Sequence, residues 1–271
     1  MRFATSYNGL DGKRLVDYAR HAEECGFEGL YLPEHIISHP GARIGQMELP
    51  AVLPVADPLD ALAYVAAATS RLLLGTAVLL LPYHHPVVLA KRLATIDVLS
   101  GGRMRLCTVG LGGLPREAAA TGVDFRARGR RADEAIEVLR LLWSGDASGV
   151  SYHGEFFDFD ELCSDPKPLA LLPIHVGGHT EASARRAGRL GDGYFPGGMM
   201  SPDERARQWE VARSFGRELE YTRWASIELT AAALSRYAAE GVTRLVVNPT
   251  THDPAEQMAQ LSTFATRFGL R

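Results

Sequence analysis

Four short stretches of the chain carry residue types able to do chemistry. Glu34-His35 follows an apolar segment, and a histidine there can donate a proton or polarise a ring, because imidazole titrates near neutrality. Tyr83-His84-His85-Pro86 sets two histidines side by side. Their side chains diverge, so one of the pair is expected to face a cleft. Val109-Gly110-Leu111-Gly112-Gly113 leaves a backbone free to pass a flat ring or a phosphate. Gly177-Gly178-His179-Thr180 joins a Gly-Gly turn to a helix start, whose unpaired N–H groups bind anions. Thr180 can cap that helix and also meet a phosphate. Arg185 and Arg186 follow within reach of the same anion.

Other chemistries find no support. His39 is separated from His35 by a spacing that Pro40 takes out of helical register, and no third ligand follows, so no metal is expected. Gly110-x-Gly112-x-x-Pro115 lacks the third small residue of a dinucleotide turn. No G-x-S-x-G elbow occurs, and Cys25 falls inside a helix pattern.

The elements that must position these residues alternate along the chain. Apolar strand-like runs lie at 2–6, 27–33, 71–80, 103–109, 173–176, 193–195, 224–230 and 244–248. Helical spacing fills 12–25, 57–69, 86–99, 134–143, 181–190, 202–217, 231–240 and 254–268. Asp57 and Pro58 form a helix start, and Gly26 a stop. The run 71–80 is apolar on both faces, as in a buried parallel sheet. Within it, Gly75 signals a bulge or a close backbone approach to a ligand. A small surface hairpin is expected at 151–159. Eight strand–helix alternations predict an α/β fold of the (β/α)₈ TIM-barrel type, with an irregular insertion at 36–56 after strand two. Active sites of such barrels lie at the carboxyl ends of the strands, which is where the four stretches fall. No linker divides the chain, so 1–271 reads as one domain.

Composition excludes several partners. A net charge of −3 gives no basic field for nucleic acid. The apolar run 72–81 is too short to span a membrane, which takes ~20 residues. Three cysteines without CxxC spacing (Cys25, Cys107, Cys163) fit a reducing cytoplasm, and no signal peptide is read. Lysines number only three (Lys13, Lys91, Lys167) of 29 basic residues, a bias that a GC-rich genome accounts for.

The chain resembles the luciferase-like flavin and deazaflavin oxidoreductases over nearly its whole length. The resemblance is carried by Ala22-Glu23-Glu24-x-Gly26-Phe27-Glu28-Gly29-Leu30-Tyr31-Leu32-Pro33-Glu34-His35 and by Leu74-Gly75-Thr76-Ala77-Val78. His85-Pro86-Val87 through Asp97-x-Leu99-Ser100-Gly101-Gly102-Arg103 adds a third block, and its Ser-Gly-Gly-Arg segment is specific. Val109-Gly110-x-Gly112, Gly177-Gly178-His179-Thr180 and Arg186-Ala187-Gly188-Arg189-Leu190-Gly191-Asp192-Gly193-Tyr194 complete it. Within the family it looks most like the group using coenzyme F420, an 8-hydroxy-5-deazaflavin.

The resemblance implies a ring cofactor in the barrel mouth against strands three and four, backed by a non-prolyl cis peptide at Ala77-Val78. It implies cofactor contacts from Thr76, Ala77, Val78, Gly110, Gly112, Gly177, Gly178, His179 and Thr180. His35 matches the histidine facing the reactive ring carbon, with Glu34 beside it as a second catalytic candidate. The segment 36–56 would be a substrate lid. Two departures stand out: Glu34 replaces the Asp of several deazaflavin members, and Gly113 stands where sugar-phosphate dehydrogenases of the family carry a Glu. The expected activity is F420-dependent hydride transfer with a small organic substrate. Alternatives are a monooxygenase using reduced FMN from a separate reductase, and a flavin-binding barrel without turnover. The family also implies a homodimer.

Overall fold

The computed structural model describes residues 1–197 and 200–270. Eight parallel strands close into a barrel in the order β1-β12-β11-β10-β9-β6-β5-β2. They are β1 (Arg2–Ser6), β2 (Gly29–Leu32), β5 (Leu73–Leu80), β6 (Met104–Gly110), β9 (Ile174–Gly178), β10 (Gly193–Pro196), β11 (Glu220–Ser226) and β12 (Arg244–Asn248). Helices α1 (Gly12–Glu24), α2 (Pro58–Ala68), α3 (Pro86–Leu99), α5 (Arg128–Ser144), α6 (Glu181–Leu190), α7 (Pro202–Arg213), α8 (Ala231–Ala239) and α9 (Pro254–Phe268) alternate with them. The expected (β/α)₈ architecture is therefore present.

The short β3 (Arg43–Ile44) and β4 (Met47–Glu48) pair within the 36–56 insertion. The hairpin β7 (Val150–His153) and β8 (Asp158–Leu162) lies between α5 and β9, near its expected place. Helix α4 (Pro115–Ala120) follows β6 and had no sequence counterpart.

One strand sits elsewhere than its pattern indicates. The seventh barrel strand is 220–226 rather than 224–230, because Thr230 is the N-cap of α8 and its side chain accepts from the Ala233 amide. A Leu229 N–H to Ser226 carbonyl turn separates the two elements.

The barrel interior is layered. At the amino ends of the strands, Arg244 is 2% exposed; it donates from Nε to Glu28 at 2.6 Å and from Nη1 to Glu220 at 2.5 Å. Arg2 meets Glu220 at 2.6 Å, and the Arg244 guanidinium is held even more firmly charged than usual by these carboxylates. Above this ionic floor lie Ala4, Tyr31, Leu106, Phe195 and Val246, with Trp224 packed on Phe195 at 4.8 Å. Gly75 belongs to this layer: a Cβ there would stand 2.5 Å from the Leu106 Cβ and 3.0 Å from the Tyr31 ring. The β5–β6 register does shift at Leu74/Gly75, so the bulge reading of Gly75 is right. The close neighbour is packed side chain, not a ligand.

The motif most specific to the resemblance is a scaffold. Arg103 is 8% exposed and donates to the carbonyls of Ser100, Leu72, Ala66 and Thr69 and to the Thr69 hydroxyl, which closes the end of α2. The fully buried Asp97 accepts from the Met104 and Leu169 amides. Both lie at the amino-end side of the sheet, away from the mouth.

Candidate functional site

The mouth is built around the middle of β5. The Ala77–Val78 peptide is cis, and both residues remain half-exposed inside a closed barrel. A second register shift, between Ala77 and Leu79, turns Val78 inward. Val78 then seats on two of the glycines. A Cβ on Gly110 would lie 2.5 Å from Val78 Cγ2, and one on Gly177 2.7 Å from Val78 Cγ1. Glycine at the ends of β6 and β9 is thus what lets the bulge of β5 fill the centre of the mouth. Thr76 does not reach it: the residue is fully buried, and its hydroxyl donates to the Thr108 carbonyl at 2.9 Å.

At the end of β2, Glu34 is 5% exposed and both its oxygens are engaged by the chain. Oε2 accepts the Leu80 N–H at 2.5 Å, and His84 Nε2 lies 2.9 Å from Oε1 and 3.1 Å from Oε2. Of the two adjacent histidines, His84 therefore turns toward the mouth and completes a β2-to-β5 clamp. His85 turns away, its ring edge-on to Phe157 at 5.4 Å, and burial lowers its pKa, aided by Arg131.

His35 faces a residue with no counterpart in the sequence reading. Glu117 of α4 is fully buried, and its Oε1 accepts the Ile36 N–H at 2.8 Å and the Ile37 N–H at 3.3 Å. His35 Nδ1 lies 3.5 Å from the same oxygen without forming a hydrogen bond. Tyr83 and Arg128 neighbour this pair. The Tyr83 phenol is pushed up to about 12, first by burial and then by Glu117, and it lies under Gly112, whose φ is +73°. His35 Nδ1, Tyr83 Oη, Glu117 Oε2 and Arg128 Nε are all buried and partnerless. Polar atoms are rarely left so unless a ligand or water completes them.

The Gly-Gly turn forms as expected. Gly178 has φ +132°, and a Cβ there would press on Ser183 at 2.7 Å. Thr180 caps α6 through a capping box with Ser183. The box uses the Thr180 and Ser183 amides, and among the described residues the amides of Glu181 and Ala182 have no acceptor. Thr180 and His179 are exposed, and the His179 carbonyl accepts from Gln208. The two arginines are not aimed here. Arg186 is 8% exposed, binds Asp133 and donates to the Gly129 carbonyl, fixing the start of α5. Arg185 pairs with Glu181 at the surface. Among the described residues, no group of three or more His, Cys, Asp or Glu could hold a metal.

A cavity of about 420 Å³ opens at the bulge. Ala77 borders it, with Ser6, Tyr7 and Asn8 from the end of β1, Trp224 from β11 and Asn248 from β12. Pro54 of the insertion and His252 reach its rim. Asn248 ends the eighth strand, so the rule of inspecting strand ends would have found it. Tyr83 stands at the start of the His84-His85 stretch without being singled out, and Glu117 lies outside every motif.

The closed parallel barrel, with polar groups gathered at the carboxyl ends of its strands, defines an enzyme of the (β/α)₈ class. Residues 2–264 match the family described as luciferase-like monooxygenase, and the chain belongs to that family. It is accordingly an oxidoreductase. An uncharacterized protein of Mycobacterium tuberculosis is 32% identical over 252 residues, 90% of this chain and 85% of that one. The F420-dependent hydroxymycolic acid dehydrogenase of the same species is 35% identical over 67% of this chain and 48% of its own length. The crystal structure of the monooxygenase RslO1 from Streptomyces bottropensis superposes with a TM-score of 0.80 at 22% identity, covering 98% of both chains. No helix of the described residues is long and apolar enough to cross a membrane.

Proposed function

We propose that the protein uses F420 to move a hydride to or from a small organic molecule. The observation that carries this reading is the set of partnerless buried atoms of His35, Tyr83, Glu117 and Arg128 in a barrel mouth that also carries the cis Ala77–Val78 peptide. Kinship with an F420-dependent dehydrogenase supports it. Ala77, Val78, Gly110 and Gly112 would hold the ring, and Gly177, Gly178, His179 and Thr180 the phosphate end, with the Glu181 and Ala182 amides as donors. When bound, F420 supplies hydride chemistry at a ring carbon and does not readily activate oxygen.

The chain's own groups hold and move protons. With Nδ1 turned toward Glu117, His35 has Nε2 to give or take the proton that accompanies the hydride. Glu117 orients the imidazole, and Glu34 with His84 holds the start of the loop. Tyr83 keeps its phenolic proton at neutral pH and is a donor.

The competing reading is a monooxygenase, as in the family's description, using reduced FMN from a separate reductase. Titration with F420 and with FMN, followed by absorbance and fluorescence, separates them. Binding of F420 is the expected result, and tight FMN binding with none of F420 would overturn it. Turnover that survives His35→Ala would remove the histidine from the mechanism. We also expect a homodimer, which sedimentation can check, and a cytoplasmic location, which fractionation can check.

A further inference from the structure

We propose that the 420 Å³ cavity is the substrate half of the site, and that it selects an uncharged hydroxyl- or carbonyl-bearing molecule with a compact apolar body. This rests on the hydride-transfer reading and names its substrate class.

Three observations converge. The first is charge. No arginine, lysine, aspartate or glutamate lines the cavity among the described residues, and His252, exposed at the rim, is the one lining group able to carry positive charge. The buried Arg244 lies below the aromatic layer and is consumed by Glu28 and Glu220. A phosphate or carboxylate placed here would lose its hydration without gaining an arginine or lysine to neutralise it.

The second is direction. Ser6 Oγ donates to Asn248 Oδ1 at 2.5 Å, which fixes the carboxamide. The Asn248 NH₂ has no acceptor among the described residues and belongs to a side chain lining the cavity. A pre-oriented neutral donor recognises a hydroxyl or carbonyl oxygen. The third is shape. Trp224 is held tilted on Phe195 at 4.8 Å and stays half-exposed, offering an apolar wall. The volume lies toward the small end of the ~300–1,000 Å³ usual for ligand sites.

The electron count is simple. Oxidising a carbinol would give a hydride to the deazaflavin and the hydroxyl proton to His35 Nε2, the base of the proposed function. Reducing the carbonyl returns both.

The test is a binding panel that does not need turnover. Cyclohexanone and cyclohexanol are compared with 4-oxocyclohexanecarboxylate and cyclohexyl phosphate, read by tryptophan fluorescence and thermal shift, with and without F420. The uncharged probes should bind at least about tenfold more tightly than the charged ones. Asn248→Leu should cost them about tenfold, the worth of one hydrogen bond. Asn248→Arg should invert the preference toward the carboxylate. Ser6→Ala, with circular dichroism as a folding control, should weaken binding less than Asn248→Leu. Equal or tighter binding of the anions by the unaltered protein, no binding of any uncharged probe, or indifference to Asn248→Leu would each overturn the proposal. Failure of F420 to bind while the ketone preference holds would overturn only the cofactor reading.

Discussion

Glu117 Oε1 stands 3.5 Å from His35 Nδ1 while accepting the backbone N–H groups of Ile36 and Ile37. One buried carboxylate thus fixes the first two residues of the insertion and stands beside the imidazole. Glu117→Ala strips the acceptor from two amides and should cost about 2 kcal/mol, read by urea unfolding. Glu117→Gln keeps a carbonyl for Ile36 and should restore most of that stability. Both variants should turn over slowly, and a Gln variant with full kcat would deny Glu117 its part in orienting His35.

Val78 and the glycines beneath it should behave as one unit. Gly177→Ala or Gly110→Ala pushes a methyl into the Val78 side chain and should destabilise by about 1–3 kcal/mol. Val78→Ala added to either should recover part of the loss. A double-mutant cycle measures the coupling, and additive effects would separate the glycines from the bulge.

How much of this was legible in the sequence depends on distance along the chain. Alternation and caps such as Asp57-Pro58 are local, and the barrel followed from them. The segment Trp224-Ala225-Ser226-Ile227-Glu228-Leu229-Thr230 alternates like a strand, yet a helix cap claims its last residue, so β11 was displaced. Glu117 reads locally as an acid in a helix's first turn, a feature that macrodipole attraction makes commonplace. Only the packing of α4 over the end of β2 gives it a partner. Gly110 and Gly177 drew notice as ligand-facing residues, but the group a Cβ there would meet first is Val78, brought there by a register shift that no pattern announces.

Acid should weaken the fold through His175. Its ring is 1% exposed, and neither nitrogen has a hydrogen-bond partner. Burial, chiefly, depresses its pKa to about 4 from an ordinary 6.5, against the pull of Glu220. The unfolded chain therefore binds the extra proton first. The neutral histidine's contribution is complete above pH 6.5 and is lost as pH falls toward 4, by roughly 3 kcal/mol in all. Unfolding free energies measured across that range should show the slope, and His175→Gln should flatten it.

The arginines after the Gly-Gly turn should part company. Arg186→Ala leaves the half-buried Asp133 without its buried partner and should cost about 2 kcal/mol in a denaturant titration. Arg185→Ala should leave stability and cofactor affinity unchanged, since its partner Glu181 is exposed beside it. Loss of cofactor affinity in the Arg185 variant alone would return that residue to the anion site.

The filled layers beneath the mouth make the barrel a vessel with one opening. Arg244 and its carboxylates plug the amino end, and Tyr31, Phe195 and Trp224 pave the level above. Under the proposed reaction, two reactants lodged there would share one doorway, the deeper entering first and leaving last. Their traffic would run in compulsory order, and a product lingering near the rim would hold back everything beneath it.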